Sequence, residues 1–453
     1  MRFIARFAQE LSDRFEVIDI YDKKKIVTPV DKHNPILPTL TRTYPATIWF
    51  ERKIRDDFGI DFEQSFDTRP LVHHERFPNI HPMRKDFNKA IDFAPFRPYP
   101  YERIEGEGIF EVGVGPIHAG IIEPGHFHFS QEGEAILHLE VRHFYKYRGI
   151  EKMMEGFEPF QGFEIVQKIS GNESIAYQIA YLLLLAQAAG VELDENVRRF
   201  NALLLELERL AHHLTDLGFI PNDAGFAPAL AYCSMLAEDT RRLLKKICGH
   251  RFGFGAVRGE TLDIDKKAVQ DYIDQTRQKL LFFKEWITQI PSLWDRLDNT
   301  GILPRHKAIK YSTVGIVARA SGIALDRRKD GWYDQFGFAP LTTSKGDVAA
   351  RFTLRLEEAL QSCDLISNLL DFSKANTPLE NFADGEYVSF IESSLGEVML
   401  YLRIQEGRID RFFARDPSFV NWQALHLMMP GNIIADFPLI NKSCDLSYAG
   451  NDL

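Results

Sequence analysis

The sequence predicts an α+β fold that is mainly α: a long-helix bundle with β-hairpins at one edge, preceded by a small N-terminal α/β remnant and an extended arm. Three observations predict it. Apolar residues recur at helical spacing over several long stretches after Ser174, and short runs of alternating polarity bounded by turn residues flank them. Pro70, Pro78, Pro82, Pro95, Pro98 and Pro100 rule out a long regular element between Asp67 and Tyr101.

Taken in order, residues 1–66 lean to β and hold one helix. Thr43 offers an N-cap, Pro45 an early proline, Ile48 to Phe58 an apolar stripe and Gly59 a stop. Residues 67–105 read as a proline-punctuated arm that lies along another surface. Residues 106–453 form the main domain. Its first hairpin turns at Glu132-Gly133, between His126 to Ser130 and Ala135 to Arg142. Helices follow over Ser174 to Ala189, ended by Gly190, and over Asp194 to Leu217, with Asp194 as N-cap and Gly218 as C-cap. Further helical periodicity runs over Pro228 to Ile247, Ile264 to Ile287, Asp347 to Phe372 and Pro417 to Met428. Strands return at Tyr387 to Ile391, Glu397 to Ile404 and Arg408 to Phe413.

Bulk properties narrow the function classes. Apolar residues make up 45% of the 453 residues and charged ones 26%, ordinary globular material with enough to fill a core. The net charge of -10 argues against a nucleic-acid partner, since phosphate binding needs clustered Lys and Arg. The richest apolar run, Ile179 to Ala189, is half the roughly 20 residues a membrane span needs, so no direct span is expected. The N-terminus lacks a long apolar stretch, which predicts no signal peptide and a cytoplasmic location. Cys233, Cys248, Cys363 and Cys444 share no short spacing, as expected of reduced, mostly buried thiols. His212 and His213 are adjacent on a helix and face different directions, poor geometry for a shared metal. Glu206 and Glu208 with Arg209, and Asp347 with Arg351, read as helix-surface or interhelix pairs.

Seven blocks in order carry a resemblance: Val114-Gly-Pro-Ile-His118, Glu123-Pro-Gly-His-Phe127, Tyr147-Arg-Gly-Ile-Glu-Lys152, Leu205 to Leu214, Val317 to Gly322, Gly346 to Arg351 and Pro417-Ser-Phe419. Together they resemble the large subunit of group 4 nickel-iron hydrogenases of the hydrogenase-4 and formate hydrogenlyase type, which is similar to the 49 kDa subunit of respiratory complex I. Glu51 to Ile60 and His81 to Phe87 resemble the end of the 30 kDa complex I subunit, here truncated, since only about 40 residues precede the first helix.

The resemblance implies four cysteine ligands for nickel and iron, and none is present. Ser170, Glu173, Ser447 and Gly450 stand at those positions, Tyr177 where the first motif ends in His, and Leu395 at a basic position. Serine and glycine supply no soft thiolate, so hydrogen activation at nickel is not expected. The complex I quinone pair is also absent: by the same resemblance Ile122 and Gly171 occupy those places, although a cavity there is compatible with the sequence. Arg148, Glu151 and Glu173 are the candidate proton relay, with a structural Arg148–Glu151 pair and a first-turn capping role for Glu173 as the plain alternatives. His118, His126 and Tyr177 are candidate cavity-lining residues for a cofactor such as quinone, with a hydrogen-bonded structural role for His118 as the alternative.

The function this implies is that of a hydrophilic-arm subunit in a membrane-bound hydrogenase-4-like or complex I-like complex. It would lie on the cytoplasmic face of the inner or plasma membrane, coupling electron transfer to proton or ion movement without a nickel-iron centre. The implied partners are a small iron-sulfur subunit and membrane-embedded antiporter-like and complex I-like subunits, with no cofactor bound by this chain. Two rivals remain open: reduction of a quinone or other small acceptor, and a non-catalytic scaffold.

Overall fold

The N-terminal strands pair with their neighbours in sequence, in a computed structural model that describes residues 1–87, 91–118 and 122–453. Phe3–Glu10 (β1), Arg14–Tyr21 (β2) and Lys25–Asp31 (β3) form an antiparallel meander, with Phe7 opposite Ile18 and Ile18 opposite Val27. The helix Thr47–Phe58 (α1) packs on it and ends at Gly59, whose φ of 72° is the left-handed conformation the predicted stop requires. Thr43 is not the N-cap. Its N–H bonds Leu40 in a separate turn, and the helix opens at Ala46 without a side-chain cap.

Residues 67–105 have no helix or strand in their described part and lie along the rest of the molecule. Arg52 donates to Tyr99 at 2.8 Å, and the main-chain N–H of Glu102 donates to Glu140 at 2.8 Å. The first hairpin then forms as read, within a sheet of Ile109–Val114 (β4), His126–Glu132 (β5) and Ala135–Arg142 (β6).

The bundle consists of Ser174–Ala189 (α2), Glu195–Asp223 (α3), Ala227–Cys248 (α4), Lys266–Thr288 (α5) and Val348–Leu369 (α6). Asp194, Asp265 and Asp347 cap α3, α5 and α6 through their carboxylates, so α5 starts two residues after the predicted Ile264. Gly218 does not end α3, which continues to Asp223. A Cβ there would stand 3.1 Å from Leu230 Cα and 3.2 Å from Cys233 Cβ, so the glycine marks a close crossing with α4. Short helices at Pro291–Leu297, Arg305–Lys310 and Gly315–Ala320 carry too few turns to show a period and lie outside the predicted set.

The closing strands Gly385–Glu392 (β7), Glu397–Gln405 (β8) and Arg408–Arg415 (β9) make an antiparallel sheet with β8 central. Val398 to Leu402 are all buried, so β8 is covered on both faces. The bundle covers one face. The N-terminal meander covers the other: Phe7 stacks on Phe413 at 4.3 Å, and Tyr401 donates to Gln9 at 2.7 Å. Pro417–Leu425 (α7), Phe437–Cys444 (α8) and Tyr448–Asp452 (α9) complete the chain.

The β7–β8 turn is fixed by an approach only glycine permits. Gly315 has φ 63°, and a Cβ there would fall 1.8 Å from Leu395 O. Gly315→Ala is expected to lose about 2–4 kcal/mol of stability from left-handed strain and overpacking, measured by urea unfolding.

Candidate functional site

Four positions separated by up to 280 residues meet where the start of α2, the β7–β8 turn, the start of α7 and α9 converge. Ser170 Oγ lies 3.3 Å from Ser447 Oγ. Glu173 Oε1 accepts a hydrogen bond from Ser393 in the β7–β8 turn, and Tyr177 donates to Asp416 Oδ2 at 2.6 Å. Asp416 also caps α7, accepting from the Ser418 N–H at 2.7 Å. Gly450 sits against this carboxylate: a Cβ on it would come within 2.0 Å of Asp416 Oδ2.

These donors do not fit the soft binuclear centre that the resemblance implies. Hydroxyls and carboxylates are hard oxygen ligands, and a cysteine at 450 would collide with Asp416. Proton chemistry fits better. Glu173 is fully buried, and its carboxyl is held well above the ordinary range, by burial first and by Asp416 second. Its Oε2 has no hydrogen-bond partner among the described residues. The phenol of Tyr177 is likewise pushed up by burial and then by Asp416 and Glu173. The neighbouring cation offers little relief, because Arg415 donates to the main-chain oxygen of Glu397 at 2.6 Å and to its carboxylate. Glu173 is therefore held protonated in a buried place beside the Asp416 carboxyl.

The relay candidates separate. Glu173 is not a capping acid: the first amides of α2, those of Ile175 and Ala176, donate to Glu208 of α3 at 2.7 and 3.0 Å. Burial raises Glu208 to about 8, so this residue, read from sequence as a surface or pairing acid, is a buried cap. Arg148 and Glu151 are not a pair. Gly149 turns the chain between them at φ 70°, and each side chain takes other partners. Arg148 donates to the main-chain oxygens of Ile169 at 2.8 Å and Ala449 at 2.7 Å, tying the α2 entrance to the C-terminus. Glu151 is buried between Arg411 at 2.8 Å and Lys53 at 3.3 Å. Asp347 and Arg351 also part, with Asp347 capping α6 and Arg351 donating to Ser443 at 2.7 Å.

Beside the acids lies a cavity of about 710 Å³, lined by His118, Ile122, Ser170, Gly171, Lys442 and Ser447 among others. Of the three cavity candidates only His118 lines it, its Nε2 2.7 Å from Gly125 O. His126 bonds Gly115 O at 3.1 Å and faces Tyr101, and Tyr177 is sealed behind the acid pair. His212 and His213 do diverge. His213 approaches Glu358 at 3.4 Å, while His212 joins Asp216 and Asp445, the one group of potential metal ligands found among the described residues. Arg355 at 2.5 Å and Lys442 at 3.4 Å from Asp216 already neutralise that group, which makes it an ion-pair cluster. Cys444 is buried beside Met428.

Sequence reading missed Asp416 and Ser393. Asp416 had a local signal, an acid directly before the Pro417-Ser block, in the position of an N-cap ahead of a proline.

The class of fold is that of a respiratory-complex subunit. A chain in a solved structure of the membrane-bound sulfane sulfur reductase, an archaeal respiratory membrane complex, superposes with a TM-score of 0.71 at 22% identity, covering 78% of this chain and all of that one. The family model for the respiratory-chain NADH dehydrogenase 49 Kd subunit matches residues 223–381 and 371–452, and the chain belongs to that family. The model for the 30 Kd subunit matches residues 4–91. The chain is similar to formate hydrogenlyase subunit 5 of Escherichia coli, 28% identical across 93% of this chain and 78% of that protein. It is also similar to an NADH-quinone oxidoreductase subunit of Phocaeicola vulgatus, 28% identical over 84% and 79%. A third relative is the alpha subunit of the membrane-bound hydrogenase of Pyrococcus furiosus, at 28% over 74% and 85%.

The raised carboxyl sets a sign for stability. Folded Glu173 keeps a proton that an unfolded carboxyl with the ordinary value of 4.5 releases, so its contribution to stability falls as pH rises above that value. Glu173→Gln is expected to melt higher than the parent at pH 8 and nearly level with it at pH 5. Each kcal/mol of relief is worth about 1–2 °C in a chain of this size. Thermal unfolding across that pH range measures it, and a difference independent of pH would exclude a protonated Glu173.

Proposed function

We propose that this chain is a hydrophilic-arm subunit of a membrane-bound, complex I-like respiratory complex. In it, the Glu173–Asp416 pair takes up and releases a proton as electrons pass through a neighbouring subunit. The observation that carries the reading is the buried pair itself, standing where related hydrogenases are expected to hold metal. A negative charge arriving nearby raises the proton affinity of a buried acid, and its departure lowers it. Tyr177 and Ser393 hold the two carboxyls by donating to them, and the cavity at Ser170 and Ser447 gives a proton a way in from water.

The partner surface is supported by the arm. Phe93 is 72% exposed and Phe96 66%, an unusual cost for an isolated chain and a natural contact for a small iron-sulfur subunit. No helix among the described residues is long and apolar enough to cross a membrane, so attachment would come through partner subunits on the cytoplasmic face. The cavity of about 710 Å³ also supports a second reading, reduction of a quinone or other small acceptor beside the acid pair.

In the complex purified from native membranes, Glu173→Gln and Asp416→Asn are each expected to cut proton uptake coupled to electron transfer at least tenfold. The set of subunits recovered should stay unchanged, with uptake read by a pH dye in sealed vesicles. Unchanged uptake would make the chain a scaffold, and isolation as a monomer with no iron-sulfur or membrane partner would overturn the reading altogether.

A further inference from the structure

A small cavity of about 20 Å³ lies between the entrance to α2, the middle of α3 and the end of α4. Glu208 and His212, four residues apart on one face of α3, line it from one side, and Arg241 of α4 lines it from the other. Asn172 closes it toward α2, and Arg251 and Phe252 close it just past the end of α4. Little more than one water molecule fills such a volume, so the cavity takes the tip of a ligand rather than a whole one.

Its charge is unbalanced. Arg241 makes one side-chain hydrogen bond among the described residues, from Nη2 to the Thr215 hydroxyl at 2.8 Å, and no ion pair. Burial holds its guanidinium below the ordinary range, and Arg251 adds to the effect. Arg251 shares its own partner, because Glu238 also binds Arg242 at 3.3 Å. Both guanidiniums lie by the ring of Phe252, 6.0 and 5.2 Å from its centroid, which is a weak substitute for a counter-ion. The α3 groups do not supply one. His212 is engaged with Asp445, and Glu208, which caps α2, is raised to about 8 by burial and is largely uncharged at neutral pH. A half-buried cation that no acid neutralises is costly, and an anion between the two arginines removes that cost.

We infer that this cavity seats one carboxylate group, held by the guanidiniums of Arg241 and Arg251. Its two oxygens match the parallel N–H donors that a guanidinium presents. A flat carboxylate enters so small a space edge-on, whereas a tetrahedral phosphate is wide in every direction. The group arrives on a small free acid or on an Asp or Glu side chain of a partner subunit, and the chemistry of the seat is the same for both.

Titration of the purified full chain with acetate at fixed ionic strength, read by saturation transfer to the methyl protons, tests this. Binding should saturate, formate should displace acetate, and chloride or phosphate should need at least tenfold higher concentration to do so. Arg241→Gln and Arg251→Gln should each weaken acetate at least tenfold at an unchanged melting temperature, while Lys246→Gln, on the same helix end but outside the cavity, should not. The same titration of the assembled complex separates the sources: acetate bound by both preparations identifies a free acid, and acetate bound by the single chain alone identifies a partner's side chain. No saturable acetate binding, displacement by chloride as readily as by formate, or undiminished binding to a folded Arg251→Gln chain would each overturn the inference.

Discussion

A lattice of buried arginines and carboxylates along α3 holds the molecule in register. Arg209 pairs with Glu358 of α6 at 2.5 Å, and Arg319 of the helix Gly315–Ala320 reaches Glu358 at 2.8 Å and Glu392 of β7 at 2.7 Å. Arg328 joins Glu206 and Asp326 to the same cluster. All seven side chains are buried. Such pairs add little net stability over an apolar core, but removing one partner costs about 3–5 kcal/mol because a buried charge is left alone. The lattice therefore works as a geometric constraint. Arg209 also donates to the main-chain oxygen of Ser393, so the same cation that locks the bundle aims the β7–β8 turn at Glu173.

That constraint positions the pocket independently of the residues that line it. The α2 start, the β7–β8 turn, α7 and α9 are positioned by contacts outside the pocket, including Arg148 on the carbonyls of Ile169 and Ala449. Oxygen groups have filled the space: Asp416 lies where a side chain at 450 would go, and Ser393 bonds Glu173. In the proposed function, acids that hold a proton stand where the resemblance implies thiolates that hold metal. Both arrangements keep net charge low in a dry interior.

The N-terminal unit depends on the same sheet from its other face. β8 needs a cover on both sides, and Phe7, Gln9 and Arg2 provide the one opposite the bundle, with Arg2 bonding Glu397 at 2.6 Å. Glu397 in turn binds Arg415 and Arg327, so the meander, the site and the segment that carries Arg327 share one carboxylate.

The sequence by itself determined what depends on neighbours in the chain. The limits of α2, the cap Asp194, the stop at Gly59 and the turn at Glu132-Gly133 all rest on local periodicity and backbone preference. The missing thiolates were equally plain, because a motif position needs no fold to be read. Only the tertiary structure decided what depends on distant partners. Gly218 reads as a helix end until α4 is seen crossing it, an Arg148–Glu151 pair stays an open alternative until Arg411 and Ala449 claim the two side chains, and a capping role for Glu173 stays open until Glu208 takes it. Asp416 carries a local cap signal, yet its second oxygen faces Tyr177, 239 positions away in the chain. Hydrogen bonds and charges in a dry core are settled by which groups the packing brings together, and chain spacing does not encode that.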